Sequence, residues 1–211
     1  VSPGPGRTAL LIDLGGVLVA DKLPAAAAKW AARLGISERD FVTGVYEGND
    51  EQVLVGRMSG REWFALVRER LGLDEAAVAE VRADLAAEPV WDEELLRAVA
   101  SLRGRARTAF VSNAWPDARP NLAGRLAVAD AAVLSCEVGF AKPDPRIYTH
   151  TLELLGASAA GSLFVDDVAE NVAAARELGM SGHLHTDTAG TLAALEEFAG
   201  TLPEATEPPS G

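Results

Sequence analysis

Three short apolar runs, far apart in the chain, each stop at a polar group. Leu10-Leu11-Ile12 ends in Asp13 ahead of a Gly15-Gly16 pair, Thr108-Ala109-Phe110-Val111 ends in Ser112-Asn113, and Ser162-Leu163-Phe164-Val165 ends in Asp166-Asp167. Runs this short and this apolar read as strands buried on both faces, as in a parallel sheet covered by helices. An ionised carboxylate is costly to desolvate inside such a strand. At the strand's carboxyl end it faces the crevice where open α/β sheets bind ligands. Residues distant in sequence therefore converge on one edge. Lys142-Pro143-Asp144-Pro145 adds a lysine ahead of a rigid turn and a helix start. A carboxylate, a hydroxyl, a lysine and an acidic pair together suit phosphoryl transfer.

The segments between these runs have helical spacing, so strands and helices alternate and the expected fold is α/β, a doubly wound and mostly parallel sheet. Residues 7–20 and 88–200 form its core. The expected core helices lie near 92–102, 121–127, 145–155, 168–178 and 189–198, with further strands at 132–137 and 182–185. Residues 21–87 are rich in Ala, Leu, Arg and Glu and poor in strand-like runs, which predicts a small all-helical cap. Four helices are expected there, at 25–34, 38–46, 59–71 and 74–87, broken by glycines at 35, 48, 56, 60 and 72. Ser59-Gly60-Arg61-Glu62 has the form of a capping box. The tail 201–211 holds three prolines and no apolar periodicity, which predicts disorder.

With 211 residues and 48% hydrophobic content, the chain has enough for one core plus an insertion. A net charge of −12 without a Lys/Arg cluster argues against nucleic acid as partner. The apolar runs are too short to cross a bilayer, and residues 1–7 lack the apolar core of a signal peptide, so a cytoplasmic location is expected. The single Cys136 cannot form an intrachain disulfide and reads as a small buried strand residue. His183 and His185 alternate along one segment with no further ligands apparent, which favours a structural role. The expected assembly is a monomer or a homodimer.

The ordered set Asp13-x-Gly15-Gly16-Val17-Leu18, Ser112-Asn113, Lys142-Pro143-x-x-x-Ile147-Tyr148 and Asp166-Asp167-x-x-x-Asn171 resembles the haloacid dehalogenase superfamily of hydrolases. That resemblance implies Asp13 as the nucleophile that forms an aspartyl-phosphate. It implies a phosphate-binding set of Ser112, Asn113, Lys142 and Gly16, with Ser112 and Lys142 also catalytic. It further implies Mg2+ held by Asp13, Gly15 through its carbonyl, Asp166 and Asp167, with Asn171 in support. The chemistry agrees, because hard oxygen ligands suit magnesium and a carboxylate nucleophile splits one difficult displacement into two. In the family the insertion after the first motif closes over the nucleophile and sets substrate choice. Trp115, Glu47 and Asp50 are the candidate substrate contacts.

One departure from the family pattern stands out. Many phosphatases of this superfamily carry a second Asp two residues after the nucleophile, where this chain has Gly15. That Asp protonates the leaving oxygen and activates water, a service worth about 10²–10⁴ in rate. Good leaving groups, a proton from Glu47, Asp50 or Glu51, or a loss of turnover are the three consequences open to the chain. The expected function is a magnesium-dependent phosphomonoesterase for a small metabolite, with a sugar phosphate as one substrate. The alternatives are a non-catalytic phosphate-binding or interaction protein with a degenerate site, and a haloacid dehalogenase, which needs no metal.

Overall fold

The structure, a computed structural model, describes residues 7–47 and 50–203, with only the backbone at Asp50. Its strands are β1 (Ala9–Ile12), β2 (Arg107–Ser112), β3 (Ala131–Leu134), β4 (Leu163–Asp166) and β5 (Ser181–Leu184). They form one five-stranded parallel sheet in the order β3-β2-β1-β4-β5. Ile12 pairs with Phe110 on one side and Val165 on the other, so the ends of the three central strands lie side by side. The chain builds outward from β1 through β2 and β3, then crosses to β4. That reversal opens a crevice beyond the carboxyl ends of β1 and β4.

Alternation along β1 explains both layers of helices. Leu10 and Ile12 pack with Leu95 and Val99 of α6 (Glu93–Ser101) and with Leu195 and Phe198 of α11 (Thr188–Thr201). Ala9 and Leu11 face the other way, toward Ile147 and Tyr148 of α9 (Pro145–Leu155) and Ala175 of α10 (Ala169–Glu177). With all four strand residues fully buried, only the residue after the strand is free to carry a charge into the crevice.

Between β1 and α6 lie α1 (Leu23–Leu34), α2 (Glu38–Tyr46), α3 (Asp50–Leu54), α4 (Gly60–Leu71) and α5 (Glu75–Leu85). They have their own core, including Trp30, Phe41, Val45, Trp63, Val67 and Val81. Ser37 with Asp40 and Ser59 with Glu62 close reciprocal capping boxes on α2 and α4. The segments leading into and out of this bundle pair with each other: Ala20 N donates to Val90 O at 2.9 Å, and Asp92 N to Leu18 O at 2.9 Å. Lys22 clamps them further, its ammonium donating to the carbonyls of Ala87 and Glu88.

Several expectations need correction. The helix expected from 121 is α7 (Ala118–Leu126) and starts earlier, because Pro120 sits in its first turn, where the missing N–H forfeits no intrahelical bond. The strand expected over 132–137 stops at Leu134 and becomes the short α8 (Ser135–Val138). The Ser135 hydroxyl there accepts from Ala114 N at 3.0 Å, and half-buried Cys136 donates its thiol to Trp115 O. Cys136 is thus a helix residue at the base of a loop. The five-residue α3 lies in a stretch read as a break. Disorder from 201 is also too early, since Thr201 ends α11 and Leu202 is buried; residues 204–211 lie outside the described residues. Among the described residues no helix is long and apolar enough to cross a membrane.

Candidate active site

The residue after β1 is Asp13, whose backbone N–H still continues the ladder to Val165 O at 2.9 Å. Its Oδ1 accepts from Leu14 N at 2.7 Å and from the Lys142 ammonium at 2.7 Å. Lys142 Nζ also lies 2.7 Å from Asp166 Oδ2, and the lysine side chain is 1% exposed. One buried cation therefore bridges two carboxylates at the ends of adjacent strands. The other Asp166 oxygen accepts from Val168 N at 2.8 Å and Asn171 Nδ2 at 2.9 Å. Both Asp166 oxygens are thus committed, which makes this residue an anchor for Lys142 and for the start of α10.

Lys142 reaches this position because its own backbone is gripped. Asn113 Nδ2 donates to Lys142 O at 2.9 Å, and Lys142 N donates to Asn113 Oδ1 at 2.8 Å. This paired amide contact ties the loop after β2 to the loop before α9. The Asn113 side chain is occupied in holding Lys142, so its backbone N–H is the group it has left for an anion. Ser112, the last residue of β2, is largely buried beside it.

The Asp167 carboxylate is more open and lies close over Gly16. Oxygens of Asp13, Asp166 and Asp167 lie within 4.8 Å of one another, a spacing that fits a single divalent cation. Burial pushes the Asp13 carboxyl up to about 6, with Lys142 pulling it down and Asp166 pushing it further up. Partial burial and the charge of Asp166 also raise Asp167. A cluster of three carboxylates with one ammonium lacks positive charge, and that electrostatic deficit is what a divalent ion would fill.

The turn after Asp13 is built for close approach. Gly16 has φ 79°, and a Cβ there would overlap the Asp167 carboxylate. Gly16→Ala is expected to destabilise the protein by about 1–3 kcal/mol and to displace Asp167, which urea unfolding and metal titration would register together. Gly15 differs. Its φ lies outside the left-handed range, and nothing stands within 4 Å of where a Cβ would be. The position has room for a side chain that the chain does not supply.

A cavity of about 550 Å³ opens from Gly15 and Ser112 toward the helical bundle, where Tyr46, Phe64, Arg82 and Leu85 line it. Trp115 lies on its wall, as a substrate contact would. Glu47 does not; it is the exposed residue that caps the end of α2 and is not part of the cavity lining. The Asp50 side chain lies outside the described residues. His183 and His185 both share the buried Thr191 hydroxyl, at 3.1 and 2.8 Å, which fits a structural role. Tyr46 is a cavity residue that sequence reasoning did not single out, and Phe64, whose helical spacing reads as core of the helical insertion, lines the cavity as well. Aromatics at helical spacing give the same signal whether they fill a core or line a cavity.

A doubly wound sheet with charged strand ends gathered under a helical insertion defines a class of α/β hydrolases, and the comparison with known families narrows it. The model of haloacid dehalogenase-like hydrolases matches residues 8–179, and the chain belongs to that family. The bifunctional epoxide hydrolase 2 of Rattus norvegicus is 30% identical over 93% of this chain, which spans only 40% of that protein's length. The sesquiterpene phosphatase astK of Aspergillus oryzae is 41% identical over 71 residues, covering 34% of this chain and 36% of that protein. The HAD family enzyme bt-2542 of Bacteroides thetaiotaomicron, solved with magnesium and inorganic phosphate, superposes with a TM-score of 0.68 at 24% identity. That match covers 85% of this chain and 94% of the other, and it establishes the fold.

Proposed function

We propose that this chain is a magnesium-dependent phosphomonoesterase that works through an aspartyl-phosphate on Asp13, with the helices of 21–87 acting as its cap. The observation that carries this reading is the Lys142 ammonium set 2.7 Å from both Asp13 and Asp166, with an Asp167 oxygen in the same cluster. The magnesium and phosphate held by the Bacteroides enzyme and the name of the Aspergillus relative point the same way.

The residues divide the work. Asp13 Oδ1 is anchored by Leu14 N and Lys142, while Oδ2 takes no hydrogen bond among the described residues and is the attacking oxygen. It bonds to phosphorus as the bond to the leaving oxygen breaks, and that oxygen departs with the electron pair as an alkoxide or aryloxide, which takes its proton from water. Water then attacks the phosphorus of the aspartyl-phosphate, the bond to Asp13 breaks, and inorganic phosphate leaves. Lys142 offsets the meeting of two anions. The Ser112 hydroxyl and the Asn113 N–H hold the phosphate oxygens; the Gly16 N–H, expected from the sequence to join them, donates instead to Val19 O at 2.8 Å, and the Ala114 N–H to the Ser135 hydroxyl. Asp13, Asp167 and the Gly15 carbonyl would hold magnesium beside Asp166, and the ion supplies positive charge to the phosphoryl oxygens.

No side chain at Gly15 delivers a proton to the leaving oxygen, so turnover is expected to follow leaving-group acidity steeply. Gly15→Asp should raise turnover of alkyl phosphates by about 10²-fold and leave aryl phosphates nearly unchanged, because the open position admits the new carboxyl. Equal turnover of alkyl and aryl esters by the wild type, with chemistry rate-limiting, would contradict this. The function itself is tested by measuring phosphate release from aryl and acyl phosphates, and halide release from 2-chloropropionate, with magnesium and with a chelator. Phosphate release that the chelator abolishes is expected. Halide release untouched by the chelator would replace this reading with a dehalogenase.

A further inference from the structure

We propose that the organic part of the substrate is apolar and lies against a wall built jointly by Trp115 of the core and by Tyr46 and Phe64 of the helical bundle. The proposal rests on the phosphatase reading for the position of the phosphate, since the cavity runs from Gly15 and Ser112 to this wall. Trp115 stacks on Tyr46 with centroids 5.1 Å apart and on Trp63 at 4.8 Å, both at 17°. Trp63 is buried, donates its indole N–H to Val45 O at 2.8 Å and leans on Phe64 at 4.6 Å. It is therefore the fixed member of the stack, and the three half-buried rings around it present their remaining surface to the cavity.

The polar groups on the same cavity are largely committed elsewhere. The Lys22 ammonium is held by the Ala87 and Glu88 carbonyls, and the Asn113 amide by the Lys142 backbone. Asp21 accepts from Leu23 N at 2.9 Å. Arg82 lies 3.8 Å from Asp117 and over the Phe64 ring. The Tyr46 hydroxyl and the Asn121 amide, which take no hydrogen bond among the described residues, are the side-chain partners left for a sugar's several hydroxyls, too few to replace the water it would leave, whereas an alkyl or aryl body exchanges water for aromatic surface. Sugar phosphates, an expectation from the sequence, fit this cavity poorly. Because core and bundle each supply part of the wall, such a body also binds across their junction.

The test uses alkylphosphonates, which carry the anion and cannot be hydrolysed, alongside the matching phosphate esters. Calorimetry with magnesium present should show affinity rising about fourfold per methylene from ethyl- to hexylphosphonate. Hydrolysis should show KM for the esters falling in parallel, with kcat nearly constant. The hexyl-to-ethyl ratio should collapse by about tenfold in Trp115→Ala and be largely restored in Trp115→Phe. Should Trp115→Ala not fold, Phe64→Ala reads the same ratio. Chain-length independence in the wild type, or a preference for glucose 6-phosphate over hexyl phosphate, overturns the apolar wall while leaving the phosphatase intact. Chain-length-dependent phosphonate binding with no phosphate released from any ester keeps the wall and overturns the phosphatase. If no phosphonate binds, both fall.

Discussion

Asp13→Asn is expected to lower phosphate release by at least about 10⁴-fold while making the metal-free protein more stable at pH 7. The rate loss follows from chemistry: an amide oxygen in the same place is a poor nucleophile, and the rest of the site cannot replace it. The stability gain follows from linkage. Asp13 has its carboxyl pushed to about 6 from 3.8, so the folded protein binds its proton more tightly than the unfolded chain. Stability from this group is highest below pH ~4, falls as pH rises through about 6, and stays low above it. A neutral amide removes that loss, keeps an acceptor for Leu14 N and leaves Lys142 paired with Asp166. A coupled assay and thermal melts in chelator, at pH 5 and pH 7, would measure both effects. Activity within tenfold of wild type would remove Asp13 from the mechanism.

Lys142→Met is expected to abolish turnover and also to destabilise the metal-free protein by about 3–5 kcal/mol at pH 7, because it leaves two buried carboxylates without their cation. The two variants thus move stability in opposite directions although both end catalysis. Acid should partly restore Lys142→Met, since protonating one carboxylate of the pair removes the repulsion. Magnesium should restore it as well by returning positive charge to the cluster, without restoring turnover. Urea unfolding at pH 5 and pH 7, with and without magnesium, reads each contribution. A variant as stable as wild type in chelator at pH 7 would show that Lys142 does not neutralise the pair.

The sheet and the motif order were legible because burial on both faces leaves strands such as Leu10–Ile12 no alternative composition, and because the charged residue then falls at the strand end. The caps were legible for a similar reason: Ser59 with Glu62 satisfies local donors whatever the tertiary context. Elements decided by distant contacts were not. Nothing local in 131–138 announces that the Ser135 hydroxyl bonds to Ala114 N and turns the strand into a helix. The role of Asn113 was hidden in the same way, since its partner is the Lys142 backbone 29 residues on. Phe64 reads as core by spacing, and only the arrangement of α4 against Trp115 opens one of its edges to the cavity.

The central claim, that Asp13 carries a phosphoryl group, can be measured without knowing the organic substrate. Phosphate labelled with 18O in all four oxygens should lose its label to water when incubated with the protein and magnesium above pH 6. Each reversal of the second step joins phosphate to Asp13 and expels one oxygen as water. Label loss that requires both magnesium and Asp13 is the expected result. Full retention of label, with magnesium and phosphate both shown to bind, would contradict the account.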